Sequence, residues 1–260
     1  MLRSLQGKII AVTGSTQGLG EEIARLAVKR GACGVVVTGR SQERGEAVAS
    51  SCRTSGCDTV FVQAALEDPS ACREIVTAAD EVFGRLDGLV NAAACTERGT
   101  LEETSVDHWD RIMAVNLRAP FLLMQDAVRL MQREGRGGSI VNILSMSAHG
   151  GTPNLTPYSV SKGALATLTK NAAHSQRQHR IRVNALNIGW MATPAEHAVQ
   201  RLEGQPANWI EAADAGAAFG RILRPRDVAG MAAYLLSDEA RMMTGALIDF
   251  DQNVLGIYNP

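Results

Sequence analysis

Tyr158 and Lys162 stand four residues apart in "TPYSVSKGA" (156–164). If this stretch is helical, they lie one turn apart on the same face. A phenol with an unperturbed pKa of about 10 is a poor acid or base at neutral pH. A neighbouring ammonium group favours tyrosinate and lowers that pKa. The pair is either a tuned proton donor or two solvated residues on a helix, and nine residues do not decide between them.

A second stretch with chemical potential is "TGSTQGLG" (13–20). It follows the apolar run "KIIAVTG" and opens the helical pattern "EEIARLAVKRGA". Gly14 permits a tight turn, and Gly18 and Gly20 let backbone and helix approach a pyrophosphate closely. The helix start offers free N–H groups and the positive end of a dipole. The spacing is G-x-x-x-G-x-G rather than G-x-G-x-x-G. Alone it is weak evidence. At the first strand-to-helix turn of an alternating chain it reads as a dinucleotide site.

The elements that must hold these groups follow one rhythm. "GVVVTGR", "TVFVQAAL" and "LDGLVNAA" are short apolar runs, and helical patterns separate them. Ser41 opens the helix in "SQERGEAVASSCRTSG", and Pro69 sits in the first turn of "PSACREIVTAADEVFG". A long helical stretch over 105–134 precedes the strand "GSIVNILS". A helix over about 157–178, the strand "IRVNALNI", a helix around 226–237 and the strand "GALIDFD" complete the series. Strands apolar on both faces, alternating with helices, imply a parallel sheet covered on both sides. Residues 190–221 break the rhythm as an insertion past a strand's carboxyl end, where open α/β sheets bind ligands. No repeat or linker interrupts the chain, so 1–260 reads as one domain.

The 260 residues are 45% apolar and 20% charged, with a net charge of −1. This is ordinary for a soluble globular protein and gives no basic surplus for nucleic acid or an anionic membrane. No apolar run reaches the roughly 20 residues of a membrane span, and the start lacks a signal-peptide core, so a cytoplasmic location is expected. The cysteines (Cys33, Cys52, Cys57, Cys72, Cys95) are odd in number, form no C-x-x-C pair and have no histidine at metal spacing. They read as reduced core or surface residues, and no metal site is expected. His108 and Trp109, at core spacing with Ile112, read as packing.

Over essentially its whole length the chain resembles the classical short-chain dehydrogenase/reductase family. Beyond the glycine element, the resemblance rests on "NAAA" (91–94), Asn116 in "AVNLRAP", Ser145 in "NILSMS", Tyr158 and Lys162 in "YSVSK", and "NIGWMAT" (187–193). It implies a Rossmann-type α/β fold, a doubly wound parallel sheet of seven strands in the order 3-2-1-4-5-6-7. It also implies NAD(P)-dependent hydride transfer at a secondary alcohol or ketone. Tyr158 would exchange the proton of the reacting oxygen, and Lys162 would lower its pKa and hold the nicotinamide ribose. Ser145 would hydrogen-bond the same oxygen, and Asn116 would hold a water linking Lys162 to solvent. The implied cofactor contacts are Gly14, Ser15, Gln17, Gly18, Leu19, Gly20, Arg40, Asn91, Gly189 and Thr193, with Tyr158 and Lys162. Many relatives are homotetramers. Here Ala164, Ala166, Ala172, Ala173 and the stretch 105–134 would suit close helix packing across a two-fold axis.

Three departures bear on the cofactor and its turns. Gly39 stands where NAD-binding relatives carry an acid for the adenosine ribose. Arg40 follows it and suits a 2′-phosphate, which favours NADP over NAD. Ala65 occupies the usual place of an adenine-contacting aspartate, and Ile188 replaces the proline of a Pro-Gly turn. For the substrate, Ser147, His149, Asn154, Trp190 and Trp209 fall in the loop after strand five and in the insertion. They point to a sugar, polyol or hydroxy acid, with a 3-oxoacyl thioester as the alternative. A non-catalytic dinucleotide-binding sensor is the rival of a different class.

Overall fold

Apolar β-branched runs form the strands of the computed structural model, which describes residues 3–255. In chain order these are β1 (Ile9–Val12), β2 (Gly34–Gly39), β3 (Asp58–Gln63), β4 (Gly88–Asn91), β5 (Gly138–Ser145), β6 (Ile181–Ile188) and β7 (Leu247–Phe250). They form one sheet in the order β3-β2-β1-β4-β5-β6-β7, every neighbour parallel. This is the expected Rossmann-type order. Val35, Val36, Val37, Leu89, Ile140 and Val141 have no solvent exposure because helices cover both faces.

One face packs under α1 (Gly18–Lys29), α2 (Gln42–Thr54) and α9 (Pro225–Leu236). The other packs under α3 (Pro69–Phe83), α5 (Ala119–Glu134) and α6 (Thr156–Gln176). The helix ends follow the sequence. Ser41 Oγ accepts from Arg44 N–H to cap α2, and Asp68 accepts from Ser70 N–H ahead of Pro69 at the start of α3. Gly84 and Gly135 end α3 and α5 in left-handed geometry, with φ of 67° and 64°.

Two stretches differ from the sequence expectation. The helix over 105–134 is interrupted: α4 (Val106–Met113) passes into a π-helical turn at Ala114–Arg118 before α5 begins. Pro120 has no N–H to give the Asn116 carbonyl four residues back, so the ladder re-registers there. The 190–221 insertion is also largely helical. It holds α7 (Pro194–Leu202), capped by Thr193, and α8 (Trp209–Ala215). Among the described residues, no helix is long and apolar enough to cross a membrane.

Candidate active site

Every strand end that matters here lies at the carboxyl edge of the sheet. The loop after β1 turns on Gly14, at φ +66°. A Cβ on Gly14 would sit 2.9 Å from the Ala93 Cα, and one on Gly20 would sit 2.4 Å from the Gly14 carbonyl oxygen. Both glycines are therefore required for the loop to fold onto itself and against the turn after β4. Thr13 Oγ1 accepts from the N–H groups of Ala92 and Ala93 at 3.0 and 3.1 Å, locking those two turns together. No side chain caps α1 at Gln17, so the first-turn N–H groups, Leu19 among them, stay open to an anion. Gly18, at φ +60°, lies under Thr193 and Pro194, so the start of α7 overhangs this loop.

Two residues expected at the cofactor also make bonds inside the protein. Ser15 N–H donates to Thr38 O, while Ser15 Oγ donates to Val12 O and accepts from Thr38 N–H. Ser15 thus braces β1 to β2. Asn91 Nδ2 donates to Asn142 Oδ1 at 2.8 Å, and Asn142 donates to Thr169 Oγ1 at 2.9 Å, tying β4, β5 and α6 together. Asn91 Oδ1 is buried without a partner.

Pro157 places Tyr158 in the first turn of α6, where the residue is buried, and Lys162 follows one turn on at 2% exposure. Ser145 ends β5 beside the phenol and accepts from Ser147, from N–H at 3.2 Å and from Oγ at 2.9 Å. Asn116, fully buried in the π turn, clasps the Cys95 backbone: Nδ2 donates to the carbonyl at 2.9 Å and Oδ1 accepts from the N–H at 2.8 Å. Asn116 Nδ2 also donates to Ser161 Oγ, which donates to the Tyr158 carbonyl. The carboxamide therefore braces the β4 loop and the start of α6, while Pro120 leaves the Asn116 main-chain carbonyl without its helical donor.

Burial pushes the Tyr158 phenol up to about 12, against the lowering influence of Ser145; Glu196 raises it further and Arg98 lowers it. Burial pushes Lys162 down to about 8. Its Nζ donates to the Ile143 carbonyl at 2.8 Å and lies over the Tyr158 ring, 5.6 Å from the centroid. Both groups are desolvated, and in each the neutral form gains.

The substrate candidates divide. Ser147 stands on Ser145 and so beside the phenol. Trp190 stacks on Trp209 with centroids 5.3 Å apart, and its Nε1 donates to Glu196 at 2.9 Å. Trp209 is buried beneath it and donates to His197 Nδ1. His149 pairs instead with Asp249 at 3.0 Å, beside Asn187 and toward β7. Asn154 is exposed and contributes its carbonyl to Gly99 N–H. A Cβ on Gly189 would meet Asp251 Oδ1 at 2.2 Å, so that turn is held by the segment after β7. Ile188 continues the β6 ladder, in register with Ser145 and Phe250. Cys52, Cys57 and Cys72 are buried free thiols. Trp109 is partly exposed at 38%, although Ile112 on the same helix is fully buried.

Sequence reasoning missed the residues that bind at long range. Gln63 Nε2 holds the Arg40 carbonyl at 3.0 Å. Arg98 and Glu196 meet at 3.1 Å beside the phenol. Their partners lie 23 and 98 positions away, and no local spacing signals them.

The comparisons agree with this geometry. Residues 14–252 match the family model described as enoyl-(acyl carrier protein) reductase. An NADP-dependent (R)-specific alcohol dehydrogenase of Lentilactobacillus kefiri is 34% identical over 249 residues, covering 95% of this chain and 96% of the relative. A cis-4-hydroxycyclohexanecarboxylate dehydrogenase of Sinomonas cyclohexanicum is 34% identical over 245 residues, covering 94% and 95%. The crystal structure of a short-chain type dehydrogenase/reductase from Mycobacterium marinum superposes with a TM-score of 0.86 at 28% identity, covering 96% of each chain. The match of this chain to the family model and to relatives along nearly its whole length shows that it belongs to the short-chain dehydrogenase/reductase family and is an NAD(P)-dependent oxidoreductase of the CH–OH group.

Proposed function

We propose that the protein interconverts a small, polar secondary alcohol and its ketone, with Tyr158 as the proton-exchanging group. The burial of Tyr158 beside Ser145 and Lys162, on the edge that carries the glycine loop, supports this most strongly. Gly14, Gly18, Gly20 and the open start of α1 suit the pyrophosphate. Gly189 and Thr193 would hold the nicotinamide end, and Lys162 would hold the adjoining ribose. A bound nicotinamide supplies the ring that accepts or gives the hydride. Tyr158 gives or takes the proton at the substrate oxygen, and Ser145 holds that oxygen. Sugars and polyols fit the hydroxyls of Ser145 and Ser147 best. A 3-oxoacyl thioester is the second reading; it shares with the description of the matched family model only the acyl thioester. Assaying ketoses, cyclic hydroxy ketones and a 3-oxoacyl thioester side by side separates the two readings.

NADP is the proposed cofactor. Gly39 has no room for an acidic side chain, because its Cβ would lie 2.6 Å from Thr16 Cγ2. Arg40 is exposed, forms no ion pair among the described residues, and has its main chain fixed by Gln63. A guanidinium on a 2′-phosphate is a charge-assisted contact absent with NAD. Its loss costs about 1.5–3 kcal/mol, or roughly 10- to 150-fold in affinity. Arg40→Ala should therefore lower kcat/KM for NADP by that factor and leave NAD nearly unchanged. Parallel loss with both cofactors would instead show Arg40 stacking on the shared adenine.

A homotetramer is the proposed assembly. Met113, Leu117, Phe121, Ala164 and Leu168 line a groove of about 690 Å³ between α4, α5 and α6. Phe121 is 45% exposed there. Ala166, Ala172 and Ala173 turn inward against the core and play no part. Phe121→Glu should convert the assembly to a smaller species by light scattering. A wild type that is monomeric at micromolar concentration would contradict the proposal.

A further inference from the structure

The loop after β4 is stitched to the start of α6. Gly99 N–H donates to the Asn154 carbonyl, Thr156 N–H donates to the Gly99 carbonyl, and Gly99 pairs with Leu155. This places Arg98 beside the first turn that carries Tyr158. Arg98 then reaches across to α7: Nε donates to Glu203 Oε1 at 2.9 Å and Nη2 donates to Glu196 Oε1 at 3.1 Å. Glu196 Oε1 also accepts from Trp190 Nε1 at 2.9 Å and Gln200 Nε2 at 2.8 Å. Gln200 Nε2 lies 3.3 Å from Glu203 Oε2. The Arg98 and Glu196 side chains are only 26% and 12% exposed. The bonds of Gly99 to Asn154 and Thr156 set the cluster against the turn that opens α6 two residues before Tyr158. The other cation near the phenol, Lys162, lies over its ring on α6. Glu97, next to Arg98 in sequence, pairs with Arg111. Two carboxylates thus share one guanidinium on the wall formed by the β4 loop and α7.

We propose that Arg98, Glu196 and Glu203 select substrate by charge, forming a net-negative wall at Tyr158 that admits uncharged alcohols and ketones and disfavours carboxylates. This rests on Tyr158 as the proton-exchanging group, and it narrows the substrate class to neutral polyols and hydroxy ketones against hydroxy acids. Coulomb repulsion from one uncompensated charge on this wall supplies the discrimination, and salt screens it.

A matched pair of ketones tests the inference: ethyl 3-oxobutanoate and 3-oxobutanoate, each reduced with NADPH at low ionic strength. The wild type should favour the ester in kcat/KM by about tenfold, and the gap should narrow in high salt. Glu203→Gln makes the wall neutral and should raise the acid-to-ester ratio by about threefold or more. Arg98→Gln leaves two unpaired carboxylates and should lower the same ratio. A general loosening of α7 would move both variants in one direction, so opposite signs identify the charge effect. An acid reduced as well as the ester, or both variants shifting the ratio the same way, would overturn the inference. Binding of the same pair to NADPH-saturated Tyr158→Phe protein, followed by tryptophan fluorescence, gives a readout that needs no turnover. Tighter binding of the ester upholds the wall and equal or tighter binding of the acid overturns it. Selective binding with no turnover by the wild type would count against the proton-transfer reading alone.

Discussion

Tyr158→Phe should lower kcat by about 10²–10⁴-fold, the range of a positioned acid–base group, and leave cofactor affinity nearly unchanged. The ring that packs in the first turn of α6 and carries Lys162 on its face is retained. Only the exchangeable proton is lost, so kcat should fall more than KM rises. The buried phenol, pushed up to about 12, stays protonated across the neutral range. Ketone reduction should therefore hold its rate through neutral pH. Alcohol oxidation needs the phenol to accept a proton and should climb as pH rises toward that value. A Phe variant that keeps more than about a tenth of wild-type kcat would remove Tyr158 from the chemistry.

Lys162→Met should cost both turnover and cofactor affinity, since one ammonium group lies over the phenol ring and is proposed to hold the ribose. It should also change how stability depends on pH. Lys162 is depressed from 10.5 to about 8 by burial. Below about 8 the folded protein holds a desolvated charge, and that cost is relieved as pH rises toward 10.5, where the unfolded chain also loses the proton. The Met variant carries no such charge. It leaves the Ile143 carbonyl without its donor, a loss of about 1–3 kcal/mol that does not vary with pH. The Tm of the Met variant relative to wild type should therefore fall between pH 7 and pH 10. A constant difference across that window would mean that Lys162 is not desolvated as described, and unchanged cofactor Kd would remove its ribose role.

The readable parts of this chain were those in which backbone geometry forces a residue type. Gly14 and Gly20 are required by contacts shorter than a Cβ allows. The strands were legible because helices bury both of their faces. The Tyr158–Lys162 pair was legible because helical spacing is local. What escaped was set by partners distant in sequence. Ser15 and Asn91 read as cofactor contacts in a motif, and their bonds to Thr38 and Asn142 on neighbouring strands had no local signal. His149 looked poised over the site until β7 brought Asp249 to it. Lys162 donates to a strand carbonyl, a contact that only the packed α6–β5 interface creates. The π turn at Asn116 was in principle predictable from Pro120, although the carboxamide's grip on Cys95 was not.

The central claim is tested most directly by incubating the protein with a broad panel of secondary alcohols plus NADP or NAD, and of ketones plus NADPH or NADH. Absorbance at the reduced nicotinamide band is followed for wild type and Tyr158→Phe in parallel. The account predicts turnover of at least one neutral polar member, faster with NADP, that the Phe variant loses by about 10²-fold or more. Cofactor binding with no turnover across the whole panel, or turnover indifferent to Tyr158, would contradict it and leave a dinucleotide-binding protein without this chemistry.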